Sequence, residues 1–469
     1  MGREKDLAKN TAILMLGTCL PKVASFVVLP ILTGQLTKDE YGTYDLVTIM
    51  VTLFLPTITL QLQTSSFRFL VDARGNEARQ RSIVSTIFAI TVPISVTALS
   101  LFYFFLSGQD AIIRLLICLY FFFDIIANTI RQTLRGLGDN ASYSVSAIID
   151  SVVQLILAVA LVQNLKLGLL GAVSMLVVSS GISLVFLLVK SRLRKLFCPS
   201  AISMEQLREC LRYSLPLVPN YMAMWVMRLS NRVIITLFMG VSANALFAAA
   251  YKIPQILTLL QNTFSMAWQE NASLTKDADD ANVYYEKMFG RIFRLLAGFF
   301  TLLLAAIPFL FAILIQGEYQ ESFFQIPLIL IAIFLYCLCS FMGGIYVAFM
   351  KTANVGITTI VAAGINVILC VILIPSIGLY GASFAMILSF SFLFLFRFFD
   401  LRAYGVRLKL DVRIVLPFVV VATIQGAFMW QLNWTLNFLN IVIAIVYCLI
   451  ACKSQLLSIG KKLVKKIAR

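Results

Sequence analysis

Polar side chains recur at helical spacing inside two strongly apolar segments. The first such stripe consists of Asp45, Thr48, Thr52, Thr59 and Gln63, with Pro56 filling the gap. The second consists of Lys252, Gln255, Thr258, Asn262, Ser265 and Gln269. Spacing of three and four places each set on one helical face. In lipid such a face must contact water or protein, so the stripes predict either walls of a wet cavity or contacts between helices.

Cations lie within or near the ends of the apolar segments that carry these stripes. They are Lys22, Arg68, Arg228, Arg232 and Lys252. Each would cost roughly 2.5–3.5 kcal/mol at the centre of an isolated membrane span. Arg228 and Arg232 are four residues apart and repel, which favours an anionic guest, and arginine suits phosphate. The alternative for Arg68 and Arg232 is that they lie near a helix end and reach out to lipid headgroups.

Acidic residues also occur inside the apolar segments. Asp124 and Arg131 share one helical face, Asp150 lies on the next segment, and Asp45 belongs to the first stripe. We expect structural ion pairs between these acids and Arg131 or another cation. The alternative is that the acids titrate or bind a cation in coupling to Na⁺ or H⁺.

Several kinds of chemistry are excluded by residue type. The sequence has no histidine, and its nine cysteines are scattered. It has no phosphate-binding loop and no pair of acids on a sizeable aqueous loop. We therefore predict no catalytic site, no metal site and no cofactor, and expect that the protein is not an enzyme. The net charge of +16 sits in short loops, which indicates membrane orientation and not nucleic-acid binding.

The elements that must position these residues are membrane-spanning helices. The 469 residues are 60% hydrophobic, and only 13% are charged, about half the usual share in soluble proteins. We predict an all-α integral membrane protein with about fourteen spans. The predicted spans are 10–32, 42–70, 82–106, 110–134, 142–163, 168–190, 214–239, 244–269, 291–315, 322–350, 354–374, 379–399, 411–430 and 434–452.

The connecting loops alternate between a set that is rich in Lys and Arg and a set that has few basic residues. The basic set includes both termini and the loops 72–81, 135–140, 190–197, 270–291 and 400–413. The other set contains only Lys38 and Lys166 as cations. Basic loops stay in the cytoplasm, so both termini are predicted to be cytoplasmic.

An internal repeat is visible in two Gly-x-x-Gly-Ala motifs. Gly168 and Gly171 match Gly378 and Gly381, about 210 residues later, and each motif opens a span that ends in basic residues. This predicts two parallel six-helix bundles around a central cavity. The predicted divisions are 1–195, 196–405 and, for two extra helices with a basic cytoplasmic tail, 406–469.

The sequence resembles polysaccharide repeat-unit flippases of the O-antigen (Wzx) type. The resemblance rests on RYSLPLVPNYMAMWVMRLSNRVIITLFMG (212–240), ALFAAAYKIP (245–254), the N-terminal stretch 10–46, Ser66-Phe67-Arg68-Phe69 and RGLGDNASYS (135–144). It covers most of the chain. Asn231 stands where this family often has Asp, and Phe247 replaces a common Tyr.

The resemblance implies the superfamily of MATE exporters and lipid II flippases, a bacterial inner-membrane location, and alternating access. The implied cargo is an undecaprenyl-pyrophosphate-linked oligosaccharide exported for cell-surface polysaccharide. Membrane lipid and envelope polysaccharide-synthesis proteins are the expected partners. Under this hypothesis Lys22, Arg228, Arg232 and Lys252 hold the pyrophosphate, while the two stripes solvate the sugars and Tyr221 or Trp225 stacks on them.

Three other functions stay open. The first is a MATE-like cation-coupled antiporter of drugs or metabolites, which predicts an acidic cavity where the sequence predicts a basic one. The second is a membrane-embedded polysaccharide polymerase or acyltransferase, which predicts a large outer loop or an intramembrane histidine. The third is a non-transporting scaffold of an envelope-synthesis complex.

Overall fold

The computed structural model describes residues 2–106, 108–191, 193–275, 280–349, 351–431, 433–451 and 453. All regular elements within these residues are helical, so the predicted all-α membrane fold is confirmed. The chain divides into two compact units, Met1–Trp225 and Val226–Arg469. The predicted division into two bundles and two extra helices stays a prediction.

The first unit contains nine helices. They are α1 (Gly2–Gln35), α2 (Lys38–Ile58), α3 (Leu62–Asp72), α4 (Glu77–Phe105), α5 (Ala111–Leu137), α6 (Asn140–Leu157, continued by π-helical turns over Ala158–Asn164), α7 (Gly168–Lys190), α8 (Leu193–Leu196) and α9 (Met204–Ser214). Helix α5 packs against α3, α4 and α7, and α6 packs against α1 and α7. Buried leucines and isoleucines join α3, α4, α5 and α7 at one end of this unit.

The remaining helices belong to the second unit, apart from the start of α10. They are α10 (Leu217–Met239), α11 (Val241–Lys252), α12 (Gln255–Thr275), α13 (Ala281–Leu314), α14 (Gln325–Ala348), α15 (Thr352–Ile377), α16 (Leu379–Asp400), α17 (Val412–Trp430) and α18 (Trp434–Ala451). Helix α14 packs on α12, α13 and α16, and the last two helices pack on α13. A buried amide pair fastens them there: Gln425 donates to the Asn440 carbonyl oxygen, and Asn440 donates to that of Gln425.

The two Gly-x-x-Gly-Ala motifs have the same local structure. Gly168, the first residue of α7, takes a φ of +55°, and Gly378, directly before α16, takes a φ of +61°; glycine adopts this conformation without strain. A Cβ at Gly171 would lie 3.0 Å from the Leu161 carbonyl oxygen, and one at Gly381 would lie 2.5 Å from that of Leu373. In both copies the second glycine therefore lets the new helix start against the end of the preceding one.

The predicted count of fourteen spans is not confirmed. Among the described residues, eleven helices are long and apolar enough to cross a membrane, or twelve if the bent pair Met204–Met227 and Leu229–Met239 is one span. The other two predicted spans are 10–32 and 244–269. The first lies within the single helix α1, of which Leu20–Gln35 is described as an apolar helix. The second is divided at Ile253–Pro254 into α11 and α12.

The predicted continuous span 42–70 is wrong. Helix α2 ends at Ile58 and α3 begins at Leu62, and between them Leu60 and Gln61 take φ of +50° and +60°. A helix cannot continue through two such residues. The break shifts the rotational phase of Thr59 and Gln63 relative to Asp45 and Thr52. Asp45, Thr59 and Gln63 are buried, whereas Thr52 on α2 is exposed. The single helical face predicted for this stripe is therefore interrupted.

Candidate functional site

An arginine on α5 fastens three helices of the first unit. The Arg131 Nη2 atom lies 3.6 Å from Asp150 Oδ2 on α6, and the two side chains are only 12% and 19% exposed. The same guanidinium donates to the hydroxyl of Ser146 on α6 at 3.2 Å and to that of Ser183 on α7 at 2.8 Å. The ion pair expected between Arg131 and a buried acid is thus present. The two serine hydroxyls accept hydrogen bonds from further N–H donors of the Arg131 guanidinium.

Two more carboxylates lie around this ion pair. Asp124, two helical turns before Arg131 on α5, is close enough to interact electrostatically with both Arg131 and Asp150. Tyr44 on α2 interacts with both Asp45 and Asp150. We call Asp45, Asp124, Asp150 and Arg131 the carboxylate cluster. The acids do not converge in a metal-binding arrangement within the described residues.

The break between α2 and α3 is lined by amide and hydroxyl groups. Gln61 Oε1 accepts hydrogen bonds from Thr64 Oγ1 at 2.7 Å and from Gln63 Nε2 at 3.3 Å. Gln63 Oε1 accepts one from Thr59 Oγ1 at 2.6 Å. Thr59, Gln61 and Gln63 are at most 4% exposed. Non-helical backbone in a span persists only where protein or enclosed water covers it, and this cluster supplies that cover.

The predicted cations lie in different environments. Lys22 is exposed on α1, and Lys252 is partly buried at the end of α11. Arg68 pairs with Asp72 at 2.7 Å near the end of α3, where both side chains are about half exposed. Arg232 is 5% exposed, and its guanidinium carbon lies 5.0 Å from the centre of the Tyr251 ring. The side chain of Arg228 lies outside the described residues.

The residues predicted to form polar walls also lie in different environments. Tyr221 is 43% exposed at the start of α10, whereas Trp225 donates its indole N–H to the Ile49 carbonyl oxygen of α2 at 3.4 Å. Gln255 opens α12 and is partly buried. Because Pro254 interrupts the second stripe, Lys252 and Gln255 belong to different helices. The side chain of Asn262 lies outside the described part of the chain.

Two polar groupings of the second unit were not predicted. Asn366 on α15 donates to Asn231 Oδ1 at 2.5 Å, and Asn231 donates to the Ala382 carbonyl oxygen of α16 at 3.5 Å. Arg397 on α16 is 4% exposed and donates to the Cys339 carbonyl oxygen at 2.9 Å and to the Thr359 hydroxyl at 3.0 Å. Arg397 lies just before the predicted end of its span. In the sequence it therefore looked like one of the basic residues that commonly end a spanning helix, and its burial was not predicted.

The fold is similar to those of solved membrane transporters. A structure described as the lipid II flippase MurJ in an inward closed conformation matches with a TM-score of 0.71 and 13% identity, over 98% of this chain and 100% of that one. An inward-facing multidrug resistance MATE family transporter of the MOP superfamily matches with 0.66 and 14%, over 83% and 98%. A MOP superfamily transporter from Pyrococcus furiosus matches with 0.57 and 16%, over 84% and 95%. Identities this low establish the fold alone.

Sequence comparison assigns the family. No curated protein matches the sequence. The profile of the family described as polysaccharide biosynthesis protein matches residues 7–269, which is more than half of the chain. The resemblance deduced from the sequence motifs is therefore confirmed at the level of the family. This multi-pass membrane protein has a fold similar to that of MOP superfamily transporters and belongs to the polysaccharide biosynthesis protein family.

Proposed function

We propose that the protein moves an undecaprenyl-pyrophosphate-linked oligosaccharide from the cytoplasmic to the outer leaflet of the bacterial cell membrane. The observation that supports this most is a buried arginine, Arg232, in a spanning helix of a polysaccharide biosynthesis family member. A permanent charge in a membrane helix usually marks a substrate or ion pathway. Polysaccharide synthesis supplies an anionic lipid-linked substrate that such a charge fits.

Arg232 is the best placed of the described cations to bind pyrophosphate. Its guanidinium lies over the Tyr251 ring, and this cation–π contact holds the planar group in place. Planar guanidinium donors match phosphate oxygens in pairs, which a lysine cannot do. Lys252 directly follows Tyr251, so α11 brings a second cation beside the stacked pair.

For sugar binding we propose a smaller set of residues than the two stripes contain. Tyr221 and Thr52 are exposed, and an aromatic ring suits stacking on a sugar face. Thr59 and Gln63 bond to each other at the helix break, so we assign them to its support and not to the sugar. In this proposal Gln255 and Asn262 remain sugar-binding residues.

Alternating access would come from one helical bundle rocking against the other around a fixed site. Coupling to Na⁺ or H⁺ would involve the carboxylate cluster, where Asp45 is 2% exposed and Asp124 shares the electrostatic environment of Arg131. A buried carboxylate in a spanning helix is suited to take up a proton or a monovalent cation.

Deletion of the protein tests the proposal directly. In cells lacking it, we expect a lipid-linked repeat unit to accumulate on the cytoplasmic side, while surface polysaccharide is lost. Purified protein in liposomes should then move a labelled lipid-linked oligosaccharide between leaflets. Normal transbilayer movement of the repeat unit in the deletion strain would refute the proposal.

A MATE-like cation-coupled antiporter is the second candidate. It is favoured by the buried acids of the carboxylate cluster in the first unit, since cationic drugs bind carboxylates. Increased drug susceptibility of the deletion strain, with normal lipid-linked intermediates, would support the antiporter over the flippase.

A further inference from the structure

The second unit contains a pocket with a cationic rim at one end of α13, α17 and α18. Its volume is about 660 Å³. The rim is formed by Arg294 of α13, by Asp411 and Arg413 at the start of α17, and by Lys453. The 400–413 loop belongs to the basic set, which predicts that this end faces the cytoplasm.

The rim is net positive. It has three cations and one acid. The carboxylate of Asp411 accepts a hydrogen bond from the backbone N–H of Arg413 at 2.9 Å and so caps α17. An acid held in this way neutralises only part of the rim charge, because two of the cations come from other helices. A ligand at the rim should therefore be anionic.

The walls below the rim are apolar. Ile414, Pro417, Tyr447 and Ile450 line the pocket on the faces of α17 and α18. Outside the pocket the same two helices present exposed aliphatic side chains to the hydrocarbon region, among them Leu416 at 58% and Leu449 at 56% exposure. A soluble anion would leave these walls without a partner, whereas an acyl chain would cover them.

We propose that this pocket binds an acidic phospholipid, with its headgroup phosphate between Arg294, Arg413 and Lys453 and an acyl chain against Ile414 and Tyr447. Both ends of such a lipid find a matching surface within one unit. Basic pockets between spanning helices at the cytoplasmic face are suited to anionic headgroups, and each nearby cation strengthens the attraction. The bound lipid would join the two last helices to α13. The inference does not depend on what the protein transports.

Native mass spectrometry of the purified full-length protein tests the site. We expect phosphatidylglycerol to be retained on the protein and phosphatidylcholine to be retained much less. The double variant Arg413→Ala/Lys453→Ala should bind phosphatidylglycerol roughly tenfold more weakly or worse, since two headgroup cations are lost. The matched control is Arg79→Ala, an exposed arginine on α4 outside the pocket, which should bind as the unaltered protein does.

Two outcomes would overturn the assignment. One is equal phosphatidylglycerol retention by the double variant and the unaltered protein. The other is retention of undecaprenyl pyrophosphate without phosphatidylglycerol, which would make the pocket a site for the substrate's lipid carrier. A variant that retains the protein's thermal unfolding temperature but loses lipid separates binding from misfolding.

Discussion

Arg131 and Asp150 join α5 to α6 inside the first unit at 3.6 Å, largely shielded from solvent. Removing the Asp150 charge leaves the buried Arg131 with Asp124 as its nearby acid and without its direct partner. We expect Asp150→Asn to lower the free energy of unfolding by up to about 3–5 kcal/mol. Because the remaining arginine is the cause, Arg131→Met added to Asp150→Asn should restore much of the loss.

Thermal and denaturant unfolding in detergent measure this effect. Arg68→Ala is the matched control, because the Arg68–Asp72 pair is about half exposed and should contribute about 0–1 kcal/mol. A loss for Asp150→Asn no greater than that of Arg68→Ala would show that the Arg131–Asp150 pair does not stabilise the unit.

In a helix an alanine variant is usually more stable than a glycine variant, and at the break between α2 and α3 we expect the opposite. Gln61 has φ of +60°, where a Cβ is strained. We expect Gln61→Gly to be about 1 kcal/mol more stable than Gln61→Ala. Both should fall below the unaltered protein, since Gln63 and Thr64 lose their acceptor.

The control for this prediction is the exposed Leu101 inside α4. There Leu101→Ala should be about 1 kcal/mol more stable than Leu101→Gly, as in any helix interior. If the alanine variant were more stable than the glycine variant at both positions, the helix would run unbroken through Gln61.

Arg397 should tolerate loss of its charge better than a change of shape. Thr358 and Thr359 keep acceptors on the preceding turn of α15, so they remain satisfied without the arginine. We expect Arg397→Met to change the free energy of unfolding by about 1 kcal/mol or less, since an apolar side chain removes a buried charge. Arg397→Lys should cost about 2 kcal/mol, because a point charge cannot replace the planar fork.

The unfolding midpoints of Arg397→Met and Arg397→Lys show whether loss of the charge or loss of the planar shape costs more stability. Arg402→Lys is the control, since Arg402 stacks on Phe399 at the exposed end of α16 and should lose little. If Arg397→Met is the more damaging of the two variants, the charge itself stabilises the second unit.

Cys198, between α8 and α9, should be a reactive thiol. Hydrogen bonds from the Ser200 hydroxyl and backbone N–H hold the pKa of the Cys198 thiol below its ordinary value. A larger fraction of thiolate is therefore present near neutral pH, and alkylation is faster. Ser200→Ala should raise the pKa of the thiol and move the pH profile of its labelling upward.

Mass-spectrometric measurement of iodoacetamide labelling against pH tests this prediction, with Cys198→Ser to identify the labelled site. An unchanged pH profile in Ser200→Ala would contradict it. A membrane-impermeant maleimide adds a test of orientation, since Cys198 is predicted to be labelled in inverted vesicles and protected in intact cells.

Arg232 tests the proposed substrate chemistry. Arg232→Ala should reduce transport of a lipid-linked oligosaccharide in liposomes at least about tenfold, since charged hydrogen bonds to phosphate are lost. Arg232→Lys should keep part of the activity because the charge remains without the paired donors. Arg79→Ala is the control, and full activity of Arg232→Ala would refute the role.

Local sequence determined the membrane fold because lipid demands long apolar helices whose backbone groups are satisfied internally. The same pattern predicted an acid partner for Arg131, since polar residues on a span face seek one another. The helix break at Gln61 escaped prediction because hydropathy averages over a window and does not register two residues of positive φ. The break at Pro254 escaped it because the same average does not register the backbone hydrogen bond that a proline cannot make. Tertiary structure alone decided that Arg397 is enclosed by α14 and α15. Burial of a span-end arginine depends on which helices pack beside it, and these come from distant parts of the chain.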